Sequence, residues 1–298
     1  MFRTTFGGII TLLIVLVVFG VFGLKLKVMI NREQSVSKMN TFYFQSNADT
    51  NLMSFKENGF SVLLSIHNLL RNKYYIDKKY GTFTALNYFQ YKKENDSKIY
   101  YDMVPIPMSP CNSSSFLIKD QEKGSILSIF DLEKYMCPDT DVYIGGLSLS
   151  LNYTRMIIDF TACHDHDYCA TEAEMEEFYE NALLSVMVGD KWFDPANYEQ
   201  PLQNYYQNQW RPIDKEKTTM LDLWVHNNTA KLSDSLFGIN SQEFDFLQIK
   251  KSYDIFHSYR SGIFISKYTV CIIIFELSPE KIIYERTVYS LNNLMSDI

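Results

Sequence analysis

The sequence predicts an α+β, mainly β protein: an N-terminal transmembrane helix followed by a β-rich ectodomain with one prominent amphipathic helix. Three observations lead there. Residues 6–24 form one uncharged, apolar run. Across the chain 21 Tyr and 21 Phe stand against 12 Gly and 8 Pro, a balance that suits bulky side chains on pleated strands better than loops. One segment, from Thr171, carries helical spacing behind a capping box. At 298 residues, 46% hydrophobic and 21% charged, the chain is long and apolar enough to bury a core, which excludes extended disorder.

Thr11 is the only polar side chain between Phe6 and Leu24. A helix of that length covers about 28 Å at 1.5 Å per residue, close to the ~30 Å hydrocarbon core of a bilayer. Arg3 and the Val21-Phe22-Gly23 sequence also suit a signal peptide, but the apolar core exceeds the usual stretch of about 7–15 residues. A core helix of a soluble protein would show one polar face. A retained single span is expected, with the lipid bilayer as partner; cleavage after Gly23 would instead release a secreted glycoprotein.

The organisation read from the sequence is a short tail over 1–5, the transmembrane helix over 6–24, a juxtamembrane stalk over 25–56 with Thr41 to Phe44 as a candidate first strand, and a β-rich ectodomain over 57–298. No repeat, low-complexity tract or Pro/Gly-rich linker divides that ectodomain, so one domain is expected. After Gly145-Gly146, the residues Leu147, Leu149, Leu151 and Tyr153 alternate with Ser148, Ser150, Asn152 and Thr154, which reads as a strand with one wetted face. Further strands are expected over 60–66, 82–91, 153–160, 185–193, 218–226, 262–277 and 281–290. Val270 to Phe275 is apolar throughout and too short to span a bilayer, so it reads as a strand buried on both faces. Behind Thr171 and Glu174, the residues Met175, Phe178, Tyr179, Ala182 and Leu183 recur at helical spacing, with Glu172, Glu174, Glu176 and Glu177 favoured by the positive helix end.

Charge and cysteines bear on the compartment. Beyond residue 32 there are 24 basic and 35 acidic residues, a net charge of −11, so binding to nucleic acid is not expected. Lys25, Lys27 and Arg32 outnumber Arg3, and counted alone they would hold the body in the cytosol. Four glycosylation sequons, at Asn95, Asn112, Asn152 and Asn227, and five cysteines, all beyond the apolar run, favour the lumenal or extracellular side. That orientation is the expectation. Cys111, Cys137, Cys163 and Cys169 sit in polar, turn-like sequence and are disulfide candidates with three possible pairings, while Cys271 lies in an apolar run as a buried thiol.

Cys163-His164-Asp165-His166-Asp167-Tyr168-Cys169 gathers the chain's densest set of metal-ligating groups, yet it lacks an established zinc spacing and a second cluster to complete four ligands. A polar loop leading into the Thr171 cap is expected, with no metal and no cofactor. There is no G-x-S-x-G elbow, Walker or G-x-G-x-x-G loop, H-E-x-x-H or kinase signature, so no catalytic residue is assigned and an enzyme is not expected.

The opening Phe2-Arg3-Thr4-Thr5-Phe6-Gly7-Gly8-Ile9-Ile10-Thr11, Cys137-Pro138, the Gly145-Gly146 segment, Cys163 to Cys169 before an acidic helix, and Tyr284-Glu285-Arg286 with Tyr289-Ser290-Leu291 resemble a group of transmembrane proteins encoded by ciliates. The resemblance implies an N-terminal span, a cysteine-bearing outer domain and a second span after the Tyr-Ser-Leu segment. The Gly-Gly-x-x-Thr opening is also similar to cargo receptors of the early secretory pathway. Together these readings lead to a membrane-anchored protein whose lumenal or extracellular β-rich domain serves binding or assembly, with protein partners through that domain. The alternative is a subunit of a two-span channel or secretory-pathway transport receptor, truncated at Ile298 before its second span.

Overall fold

Strand-period burial, more than helix propensity, organises this chain. The computed structural model describes residues 5–43, 52–70, 73–75, 77–93, 98–112, 132–148, 150–213, 217–235, 241–257 and 268–296. It opens with helix α1 (Thr5–Asn31), strand β1 (Val36–Tyr43), β2 (Met53–Ser54), β3 (Ser61–Asn68), β4 (Lys73–Tyr75), β5 (Gly81–Lys92), β6 (Ile99–Ile106) and β7 (Met108–Pro110). A 3-10 turn at Leu132–Lys134 leads into β8 (Met136–Pro138), β9 (Tyr143–Ile144) and β10 (Tyr153–Ala162). Helix α2 (Glu172–Glu180) is followed by β11 (Ala182–Phe193), β12 (Leu202–Pro212), β13 (Thr218–Ser233), β14 (Gln242–His257), β15 (Thr269–Leu277), β16 (Glu280–Thr287) and helix α3 (Leu291–Ser296).

Two sheets pack face to face. The larger runs β1-β16-β13-β15-β10-β5-β6 with β14 also on β13; the smaller runs β12-β11-β3-β8-β7 with β4 on β3. Their inner faces interlock Met156, Ile158 and Phe160 of β10, Ile273 and Phe275 of β15 and Leu221, Leu223 and Val225 of β13 with Leu64 and Ile66 of β3 and Leu184, Val186 and Val188 of β11. Alternate residues of each strand supply this core, which is the arrangement of a β-sandwich. β13 organises the larger sheet. One of its edges pairs with β14 over nearly its whole length, while the other takes β15 in parallel along Thr219–Val225 and then β16 in parallel along Thr229–Ser233.

The mainly β prediction holds, and so do the expected strands beginning near 60, 82, 153, 185 and 218. Cys271 is fully buried in β15, a strand closed on both faces. Of the strand expected over 262–277, residues 262–267 lie outside the described residues, and the last strand ends at Thr287 rather than at 290. Ala182 and Leu183, expected to continue the helix behind Thr171, open β11 instead, because the helix stops at Glu180. Three further expectations need correction. The stalk expected over 25–56 is divided: α1 continues to Asn31, and Val36–Tyr43 is an edge strand registered against β16 from Val36↔Thr287 to Tyr43↔Glu280. The alternation at 147–152 is not a strand. Gly146 at φ +69 turns the chain, Gly145 and Thr154 exchange both backbone hydrogen bonds, and the Ser150 hydroxyl accepts from the Leu147 N–H, so the segment is spent on a loop and Leu151 is exposed. A Cβ at Gly146 would lie 1.9 Å from the Asn152 carbonyl oxygen, so the turn requires glycine. Finally, β6, β12 and β14 were not anticipated. β12, rich in Gln and Asn, forms only because β11 offers a full ladder from Leu183↔Pro212 to Phe193↔Leu202.

Candidate functional site

The structure brings functional residues together at two ends of the sandwich. At one end stands α1, 27 residues and about 40 Å long, apolar on every side, with none of its apolar window buried. Among the described residues it is the one helix long and apolar enough to cross a bilayer. It closes on Arg32, whose φ of 54 is left-handed, with Glu33 N–H donating to the Val28 carbonyl at 3.1 Å, a Schellman-type stop.

That stop is bound to the sandwich. The Arg32 guanidinium lies 4.5 Å from the centre of the Tyr198 ring, and Arg286 lies 4.4 Å from the same ring. Arg286, wholly buried, forks onto the carboxylate of Asp234 and donates to the carbonyls of Pro195 at 3.1 Å and Asn197 at 2.8 Å. One side chain thus ties β16, the end of β13 and the β11–β12 loop, and through Tyr198 the end of α1. Alongside, Met29 packs with Tyr289 and Leu294, so α3 lies against α1, with the Lys25 ammonium 5.3 Å from the Tyr289 ring. Nothing in the spacing of Arg286 or Tyr198 marks them, since a lone Arg in a strand is ordinary and its hydrogen-bond partners lie 52, 89 and 91 residues away.

At the opposite end the sheets part around a cavity of about 440 Å³. Phe83, Phe160, Phe178, Ile66, Met108 and Met136 form its apolar wall, with Asp77, Lys78 and Ser109 at the mouth. Local structure sets these walls. The Thr171 side chain accepts from the Glu174 N–H and the Glu174 carboxylate accepts from the Thr171 N–H, the expected capping box, which starts α2 and delivers Phe178 to stack on Tyr80 at 3.9 Å. Glu174 also pairs with Lys79 at 2.9 Å, and this hydrogen bond with the cap holds its carboxyl down at about 2.

The four polar-context cysteines flank this cavity. Cys111 is bonded to Cys137 and Cys163 to Cys169, with Cα atoms 5.0 and 5.5 Å apart. Pro110 and Met136, both wall residues, adjoin the first bridge, and the Cys163 N–H donates to the Tyr80 carbonyl at 3.1 Å beside the second. Within that second loop His164 stacks on Tyr268 at 3.7 Å and His166 on Tyr168 at 4.9 Å. Among the described residues no three His, Cys, Asp or Glu side chains gather as a metal set.

The sequons fall in different surroundings. Asn95 lies outside the described residues, and Asn112 and Asn152 are exposed. Asn227 is half-buried within β13, with its amide oxygen enclosed, and the hydroxyl of its sequon partner Thr229 is buried and donates to Asp245 at 2.5 Å.

Buried acids are the remaining chemistry. Asp190 of β11 accepts the Ile249 N–H at 2.9 Å where β14 bulges, and Gln207 Nε2 at 3.2 Å, so it joins the two sheets. Its other oxygen has no partner among the described residues, and burial pushes its carboxyl up to about 7. On the outer face of the larger sheet Tyr153 donates to Glu276, whose carboxyl burial also raises.

A β-sandwich with two disulfides, joined at one end to an apolar helix able to span a bilayer, is the class of protein these features define. The chain belongs to the family described as the uncharacterised 80 kDa protein N-terminal domain, whose model matches residues 59–277, the sandwich from just before β3 to the end of β15. No curated protein matches it. Among solved structures, the crystal structure of Erv41p is similar at 10% identity and a TM-score of 0.33, over 83% of this chain and 99% of its own. The cryo-EM structure of a proton-activated chloride channel is similar at 9% identity and a TM-score of 0.33, over 97% of this chain and 88% of its own.

Proposed function

We propose that this is a membrane-anchored, non-catalytic protein whose β-sandwich stands on the lumenal or extracellular side and serves binding or assembly with other proteins. The observation that carries the reading is the joint at Tyr198. A helix apolar on all sides and long enough to span a bilayer is fastened through Arg32 and Tyr198 to a buried arginine of the sandwich, so the domain is presented in a set orientation rather than on a loose tether. Two disulfides favour an oxidising compartment, and exposed sequons at Asn112 and Asn152 favour glycan attachment there. The non-catalytic part rests on the absence of catalytic motifs from the sequence, and turnover by the purified protein against a broad substrate panel would overturn it.

The side of the membrane is tested in protein from its own cells. Glycosidase should lower its apparent mass, Asn112→Gln and Asn152→Gln should each remove a step, and Asn227→Gln should remove none. Unmodified sequons with all five thiols free to alkylate would place the body in the cytosol.

The packing of α3 on α1 favours a second reading, a subunit of a two-span channel or transport receptor, because it brings the chain back to the helix that enters the bilayer. That reading requires an apolar run of about 20 residues after α3 in the full transcript.

A further inference from the structure

We infer that α3 lies in the bilayer interface and sets its exposed Met295 among phospholipid acyl chains, so that the sandwich is seated on the membrane at a second point beside α1. The inference rests on the membrane-anchored reading of α1 and adds to it a lipid contact made by residues 288–296.

The depth of α3 follows from its packing on α1. The apolar run of α1 ends at Leu24, and Lys25, its first charge, marks the boundary between acyl chains and headgroups. Phe22 and Leu26, on either side of that charge, pack against the cluster of Met29, Tyr289 and Leu294. At 1.5 Å per residue Phe22 stands about 4.5 Å inside Lys25 and Met29 about 6 Å outside it. The headgroup layer is itself about 5–7 Å thick, so Leu294, held among these side chains, sits within that layer or just below it. Tyr289 stands at the same level, with the Lys25 ammonium 5.3 Å from its ring, and a ring with one polar end suits this depth.

The segment has the composition for it. From Val288 to Ser296 there is no charged residue, so it enters the layer without stripping water from a charge. Leu291, Leu294 and Met295 recur at i, i+3 and i+4 as one stripe, with Asn292, Asn293 and Ser296 off it. Leu294 is fully buried against α1, whereas Met295 is 66% exposed on the protein, an apolar side chain left over at the level where acyl chains begin. The last carbonyls of a six-residue helix lack helical partners, which the water of the headgroup layer supplies and the acyl core does not.

The test uses the full chain in phosphatidylcholine nanodiscs, with p-benzoylphenylalanine placed in turn at Ile14, Met295 and Tyr168. Ile14 is exposed in mid-span of α1, and Tyr168 is exposed at the opposite end of the sandwich. After irradiation, phospholipid adducts are expected at positions 14 and 295, about tenfold above position 168. Adduct at 14 but not at 295 would overturn the α3 contact alone, whereas adduct at neither would overturn the anchor reading and this contact with it. A second measurement reads the contact by substitution. Met and Gln have similar length and helix propensity, so Met295→Gln at a water-exposed site is near neutral, while an amide among acyl chains is costly. In nanodiscs Met295→Gln should speed hydrogen exchange of the 289–295 amides about fivefold, and Met295→Leu should leave it unchanged. Exchange indifferent to Met295→Gln would show that water, not lipid, covers Met295.

Discussion

The Arg32 guanidinium, at the last turn of α1, lies 4.5 Å from the centre of the Tyr198 ring, which the buried Arg286 also approaches to 4.4 Å. Two cations sharing one ring make the joint depend on the aromatic face rather than on the phenol, whose hydroxyl reaches the Arg32 carbonyl at only 3.5 Å. Tyr198→Ala should therefore loosen the helix from the sandwich, and hydrogen exchange of the amides over 29–33 and 194–200 should speed up roughly tenfold, equivalent to about 1.4 kcal/mol. Tyr198→Phe should leave exchange nearly unchanged.

Arg286 offers a larger effect. Its removal strands the Asp234 carboxylate and the carbonyls of Pro195 and Asn197. Breaking a buried ion pair from one side typically costs about 3–5 kcal/mol, so Arg286→Met should lower the denaturant midpoint sharply. Arg286→Met combined with Asp234→Leu should recover part of that loss, since an apolar pair leaves no stranded charge.

Asp190 makes stability depend on pH. Its folded carboxyl is pushed up to about 7 from the ordinary 3.8, so between about pH 4 and 7 the folded state keeps a proton that the unfolded chain has lost. Stability falls as pH rises through that window, and the penalty is complete above it. Asp190→Asn removes this contribution. The variant should gain on the native protein as pH rises from 4, reaching an advantage on the order of a few kcal/mol at pH 8, measured by urea unfolding at each pH.

At the cap of α2, Thr171→Ala should cost about 0.5–2 kcal/mol, because the Glu174 N–H loses its acceptor and the helix that presents Phe178 to the cavity frays from its first turn. Urea unfolding gives the loss. Thr171→Ser keeps the hydroxyl and should stay within a few tenths of a kcal/mol of the native protein.

What the sequence by itself determined was local or one-sided. The apolar run from Phe6 reads as a helix in lipid because no residue in it offers a polar face, and the Thr171-Glu174 cap reads as a helix start because both bonds lie within one turn. Core strands such as β10 and β15 were legible from β-branched and apolar density, with Cys271 among them. Tertiary structure decided the rest. The 147–152 alternation has strand period but no partner strand, and Gly146 with Ser150 turns it into a loop. β12 has little intrinsic strand character and exists because β11 supplies its ladder. A sequon at Asn227 looks like its exposed counterparts until β14 and β16 pair along both edges of β13. The joint unites Arg32, Tyr198 and Arg286, and the cavity unites Ile66, Phe83, Met108, Met136, Phe160 and Phe178. Those residues are far apart along the chain, and contacts of that kind depend on sheet order and register, which local spacing does not encode.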